Sequence, residues 1–142
     1  MKKLCGVVAI SCILSACATT PVFLQDAKPV PENRVLAFKE YNPEYAKVTI
    51  TRDAGALGSG CYLGVMYRQT LLARFDPKEN ATFYIPEGEW KFAVTPDPMG
   101  RGLCSGAMGF NPAVEIQKIE KNKENLFRIS SGPYRRPRLL PM

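Results

Sequence analysis

The chain has 142 residues, 46% of them hydrophobic, with 19 lysines and arginines against 13 acids and no histidine. That length allows one modest core. The missing histidine removes Ser-His and Cys-His nucleophile pairs together with histidine-based zinc sites.

In chain order, Met1-Lys2-Lys3 supplies a basic start and residues 4–14 an apolar run. The run falls short of the roughly twenty residues a resident spanning helix needs, so it reads as a signal peptide. Leu14-Ser15-Ala16-Cys17 follows, and it resembles the lipobox of bacterial lipoproteins. The resemblance implies a diacylglycerol thioether on Cys17, cleavage before it and acylation of the new amine. Two or three acyl chains exceed what stable anchoring requires. Ala18, rather than an aspartate, resembles the pattern of lipoproteins passed on to the outer membrane. The expected address is therefore the cell envelope, on the outer membrane and facing the periplasm.

Cleavage would remove Lys2, Lys3, Cys5 and Cys12, leaving 17 basic against 13 acidic residues and a formal charge of +4. With Cys17 modified, Cys61 and Cys104 remain in a compartment where disulfides persist, and they are expected to pair. No Cys-x-x-Cys redox motif is present.

Residues 17–45 contain Pro21, Pro29, Pro31 and Pro43 and read as a semi-rigid tether. Within it, residues 33–38 are apolar enough to dock as a helical turn or an edge strand. From Ala46 the period changes to two. Ala46, Val48 and Ile50 share one strand face, with Lys47, Thr49 and Thr51 on the other. Residues 61–67 form the next strand, with Cys61, Leu63, Val65 and Tyr67 on one face and Gly64 leaving a gap opposite. A glycine-rich loop, 53–60, joins the two strands. Arg68-Gln69 is a turn, 71–75 a strand, 76–80 a turn and 81–85 a strand. The chain reverses at 86–89, and the strand from Trp90 to Val94 sends Trp90, Phe92 and Val94 inward. Residues 96–109 are too rich in Gly and Pro for a regular element and form a long surface loop, which a bond to Cys61 would tie down. Residues 114–119 and 126–129 supply closing strands around the turn 121–125. The expectation is an all-β fold, a small antiparallel β-sandwich of about seven strands over 46–130, followed by a basic tail, 131–142.

The order Val-Thr-Ile-Thr-Arg-Asp (48–53), Gly-Ser-Gly-Cys-Tyr (58–62), Leu-Ala-Arg-Phe (72–75), Ala-Thr-Phe-Tyr-Ile-Pro-Glu-Gly-Glu-Trp (81–90) and Gly-Leu-Cys (102–104) resembles a group of proteobacterial lipoproteins. Its middle part is similar to PEGA-like small β-sandwich domains. The resemblance covers residues 46 to about 105 and implies an envelope lipoprotein with a sandwich fold and no particular reaction. The chain departs from the broader domain at Trp90, where many relatives have histidine.

No catalytic, cofactor-binding or metal-binding motif emerges. Gly58-Ser59-Gly60 lacks the spacing of a nucleophile elbow, and neither it nor Gly100-x-Gly102 completes a phosphate-cradling motif. The acids Asp53, Asp76, Glu87 and Glu89 sit in turn signals, where carboxylates are normally solvated. Charge is more informative. Residues 118–142 hold seven basic and two acidic side chains, whereas 17–117 hold ten and eleven. Arg128, Arg135, Arg136 and Arg138 are candidates for binding phosphate or carboxylate, and Ser59, Met99 and Arg101 are candidates on the loops. The partners expected are a membrane through the lipid and an envelope protein or anionic envelope polymer, with nucleic acid out of reach. These features point to a non-catalytic binding or structural module. The alternatives are an inhibitor or immunity protein that plugs an enzyme with the loop around Gly58 or Met99, and a cell-wall hydrolase.

Overall fold

The computed structural model describes residues 18–56, 59–105, 112–132 and 135–142. Cys17, Gly58 and the Arg135 side chain lie outside the described residues. The described chain begins with 3₁₀ turns at Leu24–Asp26 and Glu32–Arg34, which flank the two-residue strand β1 (Lys28–Pro29). Strands β2 (Ala46–Arg52), β3 (Leu63–Tyr67), β4 (Thr70–Phe75), β5 (Glu79–Ile85) and β6 (Gly88–Pro96) follow. After a third 3₁₀ turn, Gly102–Cys104, come β7 (Ala113–Ile119), β8 (Asn125–Gly132) and β9 (Arg135–Pro141). One sheet has the order β1-β5-β2-β8-β9 and the other β4-β3-β6-β7. The fold is an all-β sandwich.

Its core is the set of inward positions dictated by the two-residue period. Phe75, Phe83, Phe92, Ile50, Ile85, Ile119 and Ile129 are almost wholly buried. Two aromatic pairs bridge the sheets, Phe75 with Phe83 at 6.5 Å and Phe92 with Phe127 at 6.4 Å between centroids. Three of the four expected turns contain a non-glycine residue in the left-handed region, Arg68 (φ 54°), Lys78 (φ 64°) and Asn122 (φ 68°), and the fourth has Gly88 at φ 143°.

The structure corrects several expectations. Nine strands are present among the described residues rather than about seven, because β1 and β9 come from the segments read as tether and tail. The sheets are not purely antiparallel, since β2 pairs in parallel with β8 and β1 with β5. The reason is topological: β2 and β8 both start at the end of the sandwich where β5, β3 and β7 finish, so they run the same way. β3 begins at Leu63 rather than Cys61. Gly64 leaves no gap, because a Cβ there would stand 3.0 Å from both Leu71 Cδ1 and Thr95 Cγ2. Thr49 and Thr51 are buried although they face away from the core. Trp90 is half-buried, its indole N–H donating to Pro86 O at 2.7 Å.

The supposed tether is packed onto the sandwich. Val22 and Val30 are buried, Lys28 and Val30 donate to Lys78 O and Asn80 O, and Val35 bridges Ala73 on the edge of β4. Prolines favour extended backbone without preventing it from docking, and isolated apolar residues between them supply the burial. The basic tail is likewise a strand. β9 pairs with β8, Leu139 is buried, and Gln117 Nε2 on β7 donates to Leu139 O at 2.8 Å. Pro137, Pro141 and the arginines blunt it as an edge strand.

Candidate functional site at the disulfide end

Strand directions divide the molecule into two ends. At one lie the finish of β2, β4, β6 and β8 and the start of β3, β5, β7 and β9, with the 97–105 loop and residues 18–28 beside them. The Cys61–Cys104 disulfide closes this end, with Cα atoms 5.4 Å apart and 43 positions of separation. Arg52, the last residue of β2, points inward and donates from Nη1 to Cys61 O (2.8 Å) and Phe75 O (2.7 Å). Burial pulls its pKa down to about 10, so it stays protonated near neutral pH.

Three sequence candidates meet here. Ser59, Met99 and Arg101 line an open cleft of about 440 Å³ together with Tyr62, Arg74 and Asp97. Arg74 grips Asp97 with Nε–Oδ1 2.7 Å and Nη2–Oδ2 2.6 Å, and Asp97 Oδ1 also accepts the Met99 amide at 3.0 Å. The paired guanidinium, aided by the Met99 amide, holds the Asp97 carboxyl below its ordinary value against the opposing effect of burial. Arg34 binds Glu79 at 2.6 and 2.8 Å, and that bond raises the guanidinium pKa. Both guanidiniums approach the Tyr62 ring, at 4.3 Å for Arg34 and 5.0 Å for Arg74, a cation–π arrangement.

The acids at this end are mostly spoken for. Asp53, expected to be solvated, is buried and accepts from Arg128 Nη1 and Thr19 Oγ1, each at 2.9 Å. Glu79 Oε2 also takes the Asp76 amide at 2.7 Å. With oxygens taken by guanidinium donors, these carboxylates brace the loops they join. Among the described residues no cluster of three Cys, Asp or Glu side chains suits a metal ion.

The basic candidates with described side chains differ in what they engage. Arg128 is committed to Asp53, and Arg138 Nε binds Glu115 Oε1 at 2.6 Å, whereas Arg136 is exposed. What sequence reasoning missed is apolar: Phe23 (73% exposed) and Leu103 (82%) stand in solvent on segments tied to this end, beside the expected candidate Met99 (57%). At Leu103 the available signal was a hydrophobic residue between Gly102 and Cys104. At the opposite end, a wider groove of about 750 Å³ is lined by Tyr67, Arg68, Trp90 and Lys91. No family model, no curated protein and no solved structure matches the chain.

Proposed function

We propose that the protein is a lipid-anchored envelope lipoprotein whose sandwich acts in recognition rather than turnover. The anchor reading is supported by the basic start, the apolar run, Leu14-Ser15-Ala16-Cys17 and Ala18. The disulfide suits an oxidising compartment. One observation favours a binding module most: the disulfide end engages Asp53, Glu79 and Asp97 in arginine pairs while presenting apolar side chains on a covalently braced loop. Bracing lowers the entropy that a loop loses when it binds.

The test is fractionation of cells carrying the native protein or Cys17→Ala, with mass spectrometry of the N-terminal peptide. The native chain is expected in the membrane fraction with an acylated Cys17, and the variant in the soluble fraction. A Cys17→Ala protein that still sediments with membranes would sink the anchor.

A further inference from the structure

The start of the folded part is fixed, and close to the proposed lipid. The Thr19 amide donates to Ser131 O at 3.1 Å, and the Ser131 amide donates to Thr19 Oγ1 at 2.8 Å. The same hydroxyl lies 2.9 Å from Asp53 Oδ2, and Thr20 bridges Ala54. Cys17 is two residues from Thr19, a span of at most about 7 Å. An acyl chain on Cys17 therefore cannot hold the sandwich at a distance. It draws the end that carries Thr19 onto the bilayer surface.

That end has the composition an interface selects. Phe23 and Leu24 are exposed on the short path from Thr20 to Lys28, whose backbone is hydrogen-bonded to Ala54 at one side and Lys78 at the other. Met99 and Leu103 are exposed on the loop that the disulfide ties to Cys61, and Cys61 O is bound by Arg52 from the finish of β2. Exposed cations at the same end are Lys28, Lys78, Arg101 and Arg136, against exposed Asp26 and half-buried Asp76. At the opposite end carboxylates and lysines are interleaved, as where Glu120 lies between Lys118 and Lys123.

We infer that the disulfide end is a membrane-docking face: Phe23, Leu24, Met99 and Leu103 enter the headgroup–acyl boundary, and Lys28, Lys78, Arg101 and Arg136 meet anionic headgroup phosphates. Shallow burial of apolar side chains, with cations at the phosphate level, is how interfacial segments bind. The inference rests on the lipid anchor and adds an orientation to it. The face looking into the periplasm is then the opposite end, with its Tyr67–Trp90 groove.

The test uses the full lipidated protein in phosphatidylethanolamine–phosphatidylglycerol vesicles whose acyl chains are brominated, read by tryptophan emission. Native Trp90, on β6 near the far end, serves as the internal control. In Leu103→Trp and, separately, Phe23→Trp, the added emission is expected to be lost to bromine. Trp90 and an Ile116→Trp control on β7 are expected to keep theirs. Replacing phosphatidylglycerol with phosphatidylcholine is expected to weaken that quenching. If the vesicles float with the protein but neither new tryptophan is quenched, the anchor stands and the docking face is overturned, leaving those side chains to a protein partner. Quenching indifferent to headgroup charge overturns the role of the cations. A lipidated preparation that fails to float overturns the anchor, and this inference with it.

Discussion

Glu79 is costly to remove, because both of its oxygens are engaged by a guanidinium as buried as itself. The Arg34 and Glu79 side chains are each 11% exposed. Removing one partner of such a pair leaves a desolvated charge, which costs about 3–5 kcal/mol. Glu79→Ala should lower the unfolding free energy by about that much in urea titrations, while Arg34→Met combined with Glu79→Leu should recover most of the loss. A double variant as unstable as Glu79→Ala would mean that the pair is not the source. Asp97 gives a pH dependence with a definite sign. Its folded-state pKa is depressed by Arg74, so its contribution is present above the unfolded carboxyl value of about 3.9 and is lost as pH falls through the folded value. The urea midpoint of the native protein should therefore drop below about pH 4, and Arg74→Met should be less stable at neutral pH and flatter across that acid limb. Equal acid slopes for the two proteins would remove Arg74 from the account.

At the scale of elements, β3 shows why one glycine is fixed where alternation alone left a choice. A Cβ on Gly64 would press on Leu71, on Thr95 and on Pro98 Cδ at 3.1 Å, so Gly64→Ala should cost about 1–3 kcal/mol by overpacking, readable as a lowered thermal midpoint. An unchanged midpoint would mean that these neighbours yield freely. β9 makes a prediction of another kind. Ending the chain after Gly132 removes buried Leu139 and the acceptor of Gln117 Nε2, and uncovers β8. The truncated protein should therefore lose cooperative unfolding rather than merely shed charge; a truncation with the native midpoint would return these residues to the status of a tail. These two elements also show what the sequence could convey. Alternation marked β2, β5 and β6 because one sheet face is buried and the other wetter, which makes the period visible locally. β9 escaped because Arg135-Arg136-Pro137-Arg138 has the composition of a solvated segment, while its fully buried described side chain, Leu139, comes after that run. The leading segment escaped for a related reason. Its prolines dominate locally, whereas what docks it, Arg34 with Glu79 and Thr19 with Asp53 and Ser131, spans 34 to 112 positions. At the candidate site the cysteine pair was readable from the compartment that the leader implies, and Ser59, Met99 and Arg101 from their loops. The arginine that would engage each acid was not.

Over the whole molecule, the disulfide acts on the unfolded chain more than on the sandwich. It joins the approach to β3 to the loop after β6, and Leu63 already faces Pro96 across those strands, so the native sheets bring Cys61 and Cys104 near one another without it. Arg52 holds Cys61 O and Phe75 O from β2, and Arg74 holds Asp97, which gives both sides of the bond anchorage of their own. The unfolded chain has no such constraint, and closing a separation of 43 residues removes entropy worth about 4 kcal/mol in the chain-entropy model. That is a large fraction of the roughly 5–15 kcal/mol that holds a domain folded. Cys61→Ser with Cys104→Ser should therefore keep the far-ultraviolet signature of the sheets in dilute buffer while the urea midpoint falls steeply with an unchanged slope. The 97–105 loop should loosen first, seen as faster amide exchange at Met99 and Cys104 than in β6. If the midpoint holds, the bond contributes nothing beyond the loop; if the sheet signature is lost in buffer, the bond is part of what assembles the sandwich, and the strands are not self-sufficient.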